Sequence, residues 1–80
     1  MDKSEIEAGV VKVVCQVLNI DKDMVSLESN FVFDLGAESI QSVQLVAAFE
    51  EEFSIEMESE EALSVQTVGE AVDFIANYVK

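Results

Sequence analysis

None of the 80 residues is proline and only three are glycine, so the chain holds little that breaks a helix or builds the tight turns of a sheet protein. Alternating strand patterns are absent as well. Apolar residues recur instead at helical period, and the expected class is all-α. With 50% of its residues apolar, a chain of this length can build one modest core, and residues 1–80 are read as a single domain.

The first helix is expected over residues 4–18. Ser4 and Glu7 have the spacing of a capping box, and Ile6, Val10, Val13, Val14, Val17 and Leu18 form one stripe. Cys15 projects roughly opposite that stripe, which makes it a surface or boundary residue. Residues 19–38 make a long connection that needs apolar anchors of its own, and Val25, Leu27, Phe31 and Leu35 can supply them. A second helix is expected over residues 39–53 with Ile40, Val43, Val46, Ala47, Phe49 and Phe53 inward. Gln41, Gln44, Glu51 and Glu52 then lie mostly outward. A short turn of helix is expected over residues 59–63, capped by Ser59, with Ile55 and Met57 reaching the core. The last helix starts at Thr67, which forms a capping box with Glu70. Its apolar face is Val68, Ala71, Val72, Ile75 and Val79, widened by Phe74 and Tyr78. Three longer helices and one short one cannot bury their stripes singly, so they are expected to pack as a small four-helix bundle with a long first loop.

Charge narrows the range of partners. Seventeen acids against four lysines and no arginine give a formal net charge of −13, which argues against nucleic acid and anionic lipid. Basic protein surfaces are the expected partners. The lone Cys15 excludes an intrachain disulfide, and a cytoplasmic location fits better than a secreted one. The start Met1-Asp2-Lys3-Ser4-Glu5 lacks a cationic targeting region, and Lys12 and Gln16 interrupt the only long apolar stretch, so no membrane insertion is expected. Without histidine or arginine, the chain offers carboxylates and little else for proton transfer, metal binding or attack. It reads as a substrate of enzymes and not as an enzyme.

The segment Asp34-Leu35-Gly36-Ala37-Glu38-Ser39-Ile40 presents one hydroxyl at the start of the second helix. Free backbone N–H groups and the helix dipole stabilise a phosphate esterified there by about 0.3 to 1 kcal/mol. Gly36 permits a tight or left-handed turn just upstream, and Leu35 is the apolar residue that pins the turn to the core. A serine before a helix is ordinarily no more than an N-cap. Here it stands in a longer pattern of Phe31-Val32, Asp34-Leu35-Gly36-Ala37, Ser39, Val43, Leu45-Val46 and Glu50-Glu51-Glu52-Phe53.

That pattern, over essentially the whole chain, resembles the acyl carrier protein family. The resemblance implies that Ser39, between Glu38 and Ile40, takes 4′-phosphopantetheine from coenzyme A, with Asp34 and Gly36 as motif context. A phosphopantetheinyl transferase would install the group, and its thiol would carry acyl intermediates as thioesters between acyl-transferring and acyl-modifying enzymes of fatty acid, lipid or related biosynthesis. The family fold also implies a long first loop tied down by a short turn of helix. It implies an acyl chain lodged between the second and third helices, for which Val46, Phe49, Met57, Leu63 and Val65 are the candidates. The free-standing carrier is expected to be a monomer.

Departures from the family pattern point to a specialised carrier. Fatty-acid carriers often have acids where this chain has Phe33, Gln41 and Gln44. Glu38, Glu50, Glu51, Glu52, Glu56, Glu58, Glu60 and Glu61 remain to steer basic partners. Two other readings stay open. Asp21-Lys22-Asp23 begins like a calcium loop but continues with Val25, Ser26 and Val32 where a ligand, the turn glycine and the closing glutamate belong. An acidic helical adaptor without a prosthetic group would use Ser39 only as a cap.

Overall fold

The computed structural model describes residues 2–79; Met1 and Lys80, the latter one of the four lysines counted above, lie outside it. Four helices follow in order: α1 (Lys3–Leu18), α2 (Ser39–Phe53), α3 (Ser59–Ser64) and α4 (Val68–Ala76). A single 3-10 turn, Lys22–Met24, interrupts the first loop. Among the described residues there is no strand, only an isolated bridge between Asn30 and Thr67. The all-α class and the four-helix arrangement are thus as expected. No helix among these residues is long and apolar enough to cross a membrane.

Helix α1 is the spine, packed against both α2 and α4, while α3 packs against α2. Its stripe behaves as the periodicity requires: Ile6, Val10, Val13 and Val14 are buried, and Val17 and Leu18 pack half-buried against them. Cys15 sits at the boundary. The cap lies two residues upstream of the expected one. Asp2, not Ser4, is the N-cap, and its N–H donates to Glu5 Oε1 at 3.3 Å. Both pairs have the i, i+3 spacing, and the helix takes the one that lies two residues further upstream. Gly9 is where α1 meets α2 most closely, since a Cβ there would stand 2.6 Å from the tip of the Phe53 ring.

The long loop is anchored as much by its backbone as by its side chains. Phe31 is buried and Val25 and Leu35 are half-buried, but Leu27, expected as an anchor, is exposed. Its carbonyl does the anchoring instead, accepting the Gly69 N–H at 2.8 Å. Phe31 N–H donates to Gln66 O at 2.9 Å and Val68 N–H to Ser29 O at 3.0 Å, tying the loop to the start of α4. The segment that begins like a calcium loop is instead this 3-10 turn followed by apolar anchors, and among the described residues no acidic group is arranged to hold a metal.

Helix α2 has the expected bounds but not the expected face. Leu45, Phe49 and Phe53 point into the core with Val46 beside them, whereas Ile40, Val43 and Ala47, expected inward, are exposed. At about 100° per residue these two apolar stripes lie on opposite sides of the helix, and only the one with both phenylalanines has a partner to bury against. Helix α3 runs one residue further than expected and begins after Glu58, so Ser59 is its first residue and not its cap. Met57 is buried and Ile55 half-buried, as expected. The box at α4 forms as read, with Glu70 N–H donating to Thr67 Oγ1 at 3.2 Å and Thr67 N–H to Glu70 Oε1 at 3.1 Å. Val68, Ala71, Val72 and Ile75 are buried. Phe74 and Tyr78 meet edge to face, with ring centroids 5.2 Å apart.

Candidate functional site

Residues 30–38 fold into a hydrogen-bonded turn that delivers the chain to α2. Asn30 organises it. Its Oδ1 accepts the N–H groups of Val32 and Phe33, both at 2.9 Å, while its own N–H donates to Asp34 Oδ2 at 2.7 Å. Ala37 N–H then closes back on Phe31 O at 2.7 Å, over the buried Phe31 ring. Gly36 adopts φ +73°, the left-handed region in which a side chain is strained, although nothing would touch a Cβ there. The glycine is therefore required by the turn and not by crowding. Asp34, expected as motif context, has a definite task as the carboxylate that closes the turn.

The start of α2 is capped without Ser39. Glu38 is the N-cap, and its N–H donates to Oε1 of Gln41 at 2.8 Å in a capping box. Ser39 is the first helical residue and is exposed. Among the described residues no hydrogen bond uses its hydroxyl. Ser42 differs: it is half-buried, and its Oγ donates to Glu38 O at 3.4 Å. Of the two hydroxyls in the first turns of α2, only that of Ser39 stands uncommitted and open to solvent. It also stands beside helix N–H groups and the positive end of the dipole, a setting that suits a phosphodiester.

Beside this turn lies a cavity of about 420 Å³, partly open to solvent and lined by residues of the loop, α2, α3 and α4. All five residues expected to contact an acyl chain line it: Val46, Phe49, Met57, Leu63 and Val65. Phe49 and Met57 are buried, Val46 and Val65 half-buried, and Leu63 is exposed. Sequence reasoning missed other lining residues: Ile75 and Phe74 had been counted as the face of α4 and its edge, and Leu45 lies on the α2 stripe that was not expected inward. No ionisable side chain lines the cavity.

The residues expected to meet partners fall into two groups. Gln44, Glu51, Glu52, Glu60 and Glu61 are exposed, and Glu52 forms a 3.4 Å surface pair with Lys12. Gln41 is half-buried, and its amide oxygen is occupied by the Glu38 N–H, so it is first of all a capping residue. Glu50, expected only as one of the steering acids, is half-buried and ties the α2–α3 connection together by accepting the Met57 N–H at 2.8 Å. No local motif announces that bond, which spans seven residues.

Comparison with known proteins agrees with this geometry. The family described as phosphopantetheine attachment site matches residues 8–75. A solved structure from Mycobacterium tuberculosis, of a protein assigned as an acyl carrier protein, superposes with a TM-score of 0.83 at 26% identity, over 90% of this chain and 96% of that one. Carriers of this kind hold 4′-phosphopantetheine covalently and are acted on by enzymes without being enzymes themselves. With most of its length matched by the family and its helices arranged as in that structure, this chain belongs to the phosphopantetheine attachment family as an acyl carrier protein.

Proposed function

We propose that Ser39 is the attachment residue and that the protein is a specialised, cytoplasmic carrier of acyl groups in fatty acid, lipid or related biosynthesis. The observation that carries the site is the contrast between two serines: Ser39 exposed with a free hydroxyl, Ser42 half-buried and bonded to Glu38 O. In the loading step, Ser39 Oγ bonds to the pantetheine-bearing phosphorus of coenzyme A as the pyrophosphate bond breaks. Adenosine bisphosphate leaves, and the hydroxyl proton passes to a base of the phosphopantetheinyl transferase. The carrier contributes position: a rigid turn from Asn30 to Ala37 and a capped helix hold the oxygen in the open. Once attached, the group supplies a thiol that carries acyl chains as thioesters.

The cavity lined by Val46, Phe49, Met57, Leu63 and Val65 suits an acyl chain, being apolar and free of ionisable side chains. Ser42 lines it too, one turn along α2 from Ser39, so the space opens near the attachment point. The neutral Gln44 and the capping Gln41, with acids only around them, support a partner set distinct from that of general fatty-acid carriers. Incubation with coenzyme A and a transferase tests the site. The wild-type chain should gain the mass of one phosphopantetheine and Ser39→Ala none; a gain that maps to Ser42 would refute the assignment.

A further inference from the structure

We infer that Phe33 is an apolar anchor by which an enzyme acting on Ser39 docks, and that this enzyme meets it with an uncharged pocket rimmed by lysine or arginine side chains; the inference rests on the carrier reading above. Phe33 is 89% exposed, more than any other large apolar residue among those described. Full burial of such a side chain is worth about 1.5–3 kcal/mol, and this one is left entirely to a partner.

The ring does not hang on a loose loop. The Phe33 N–H and the neighbouring Val32 N–H are both held by Asn30 Oδ1, the Asn30 N–H by Asp34, and Phe31 by its buried ring and the Gln66 carbonyl. An aromatic presented on so constrained a backbone gives up little conformational freedom when bound, which is what an anchor requires. Phe33 lies six residues before Ser39, and it and Val32 line the same cavity as Ser42, three residues along α2 from Ser39. Ile40 and Val43, 66% and 57% exposed, extend the apolar surface along α2.

Charge fixes the chemistry of the occupant. Residues 39–49 contain no ionisable side chain, in a chain whose net charge is −13. A partner cation brought against Ile40 and Val43 on α2 would lose water and find no carboxylate among residues 39–49. Acids border the patch at Asp34, next to Phe33 itself, at Glu38, at Glu50 to Glu52, and at Glu60 and Glu61. A fitting surface therefore has an apolar centre that supplies affinity and a cationic rim that steers approach. A second copy of this chain is a poor occupant, because two such acidic molecules repel.

Transfer kinetics on the full-length apo protein, using coenzyme A and the phosphopantetheinyl transferase of its native host, test the anchor. Phe33→Ala should raise KM for the carrier about tenfold with kcat changed by less than about twofold, and Phe33→Leu should stay near wild type. The position is on the surface, and circular dichroism should show unchanged helix content. An unchanged KM for Phe33→Ala, or a fall in kcat alone, would overturn the anchor. So would sedimentation showing a wild-type dimer that Phe33→Glu dissolves. If the wild type gains no phosphopantetheine, the attachment-site reading fails and the anchor with it.

Discussion

The Glu38 N–H lies 2.8 Å from Gln41 Oε1, and this bond closes the N-terminus of α2 in place of any bond from Ser39. The division of labour has a measurable consequence. A serine that caps a helix costs about 1 kcal/mol when replaced by alanine. Ser39 does not cap, so Ser39→Ala should change stability by less than about 0.5 kcal/mol in urea melts. Gln41→Ala should show the larger loss. The reverse ranking would mean that the Ser39 hydroxyl caps the helix in solution.

The same bond alters how the neutral surface of α2 should be probed. Replacing Gln41 by aspartate shortens the side chain by one methylene and loosens the cap, so its effect on docking would be mixed with one on helix stability. Gln44 is exposed and free of that duty. Gln44→Glu should raise kcat/KM of this carrier with a ketosynthase that prefers acidic carriers by about threefold to tenfold, the size of one charge-assisted contact. Equal kinetics for both proteins would show that the neutral residue does not exclude such enzymes.

Gly9 tests the packing of α1 on α2. Alanine there would gain up to about 1 kcal/mol of helix propensity, but its Cβ would meet the buried Phe53 ring at 2.6 Å. Overpacking of a filled core typically costs about 1–3 kcal/mol, so Gly9→Ala should be destabilising on balance. Gly9→Ala with Phe53→Leu should recover part of the loss. A single variant more stable than wild type would mean that the ring moves aside freely.

Much of this arrangement is legible in the chain, and the misreadings have identifiable causes. The Thr67–Glu70 box could be read because period and cap agree there, and the α1 stripe could be read from its period alone, although two adjacent i, i+3 pairs, Asp2–Glu5 and Ser4–Glu7, competed for its cap. Helix α2 was harder. Its two apolar stripes are equally periodic, so periodicity alone does not choose between Leu45, Phe49 and Phe53 on one side and Ile40, Val43 and Ala47 on the other. Ser39 held the missing clue. Val43 is four residues on and shares its face, so a serine open to an enzyme places Val43 in solvent too. Bonds such as Met57 N–H to Glu50, or Gly69 N–H to the Leu27 carbonyl, join residues whose approach depends on the packed fold and leaves no local trace.

The charge distribution leads to a last prediction. Cations are sparse: Lys3 pairs with Asp73 at 3.1 Å and Lys12 with Glu52 at 3.4 Å, both at exposed sites where such pairs contribute little. Among the described residues no other acid forms an ion pair with a lysine, and the acids of residues 50–61 lie at the end of α2 and the start of α3. Folding brings these charges closer together than they are in the expanded chain, so the folded state is the more repelled. Raising sodium chloride from about 10 mM to about 0.5 M shrinks the screening length several-fold and should lift Tm by roughly 5 °C, the shift expected for about 1 kcal/mol in a domain of this size. Millimolar magnesium and calcium should do similar work at lower concentration by lying between carboxylates, with no preference for either ion. Thermal melts in the four conditions check this. A Tm indifferent to all of them would remove the electrostatic account, and a saturable shift at micromolar calcium alone would restore a true calcium loop at residues 21–32.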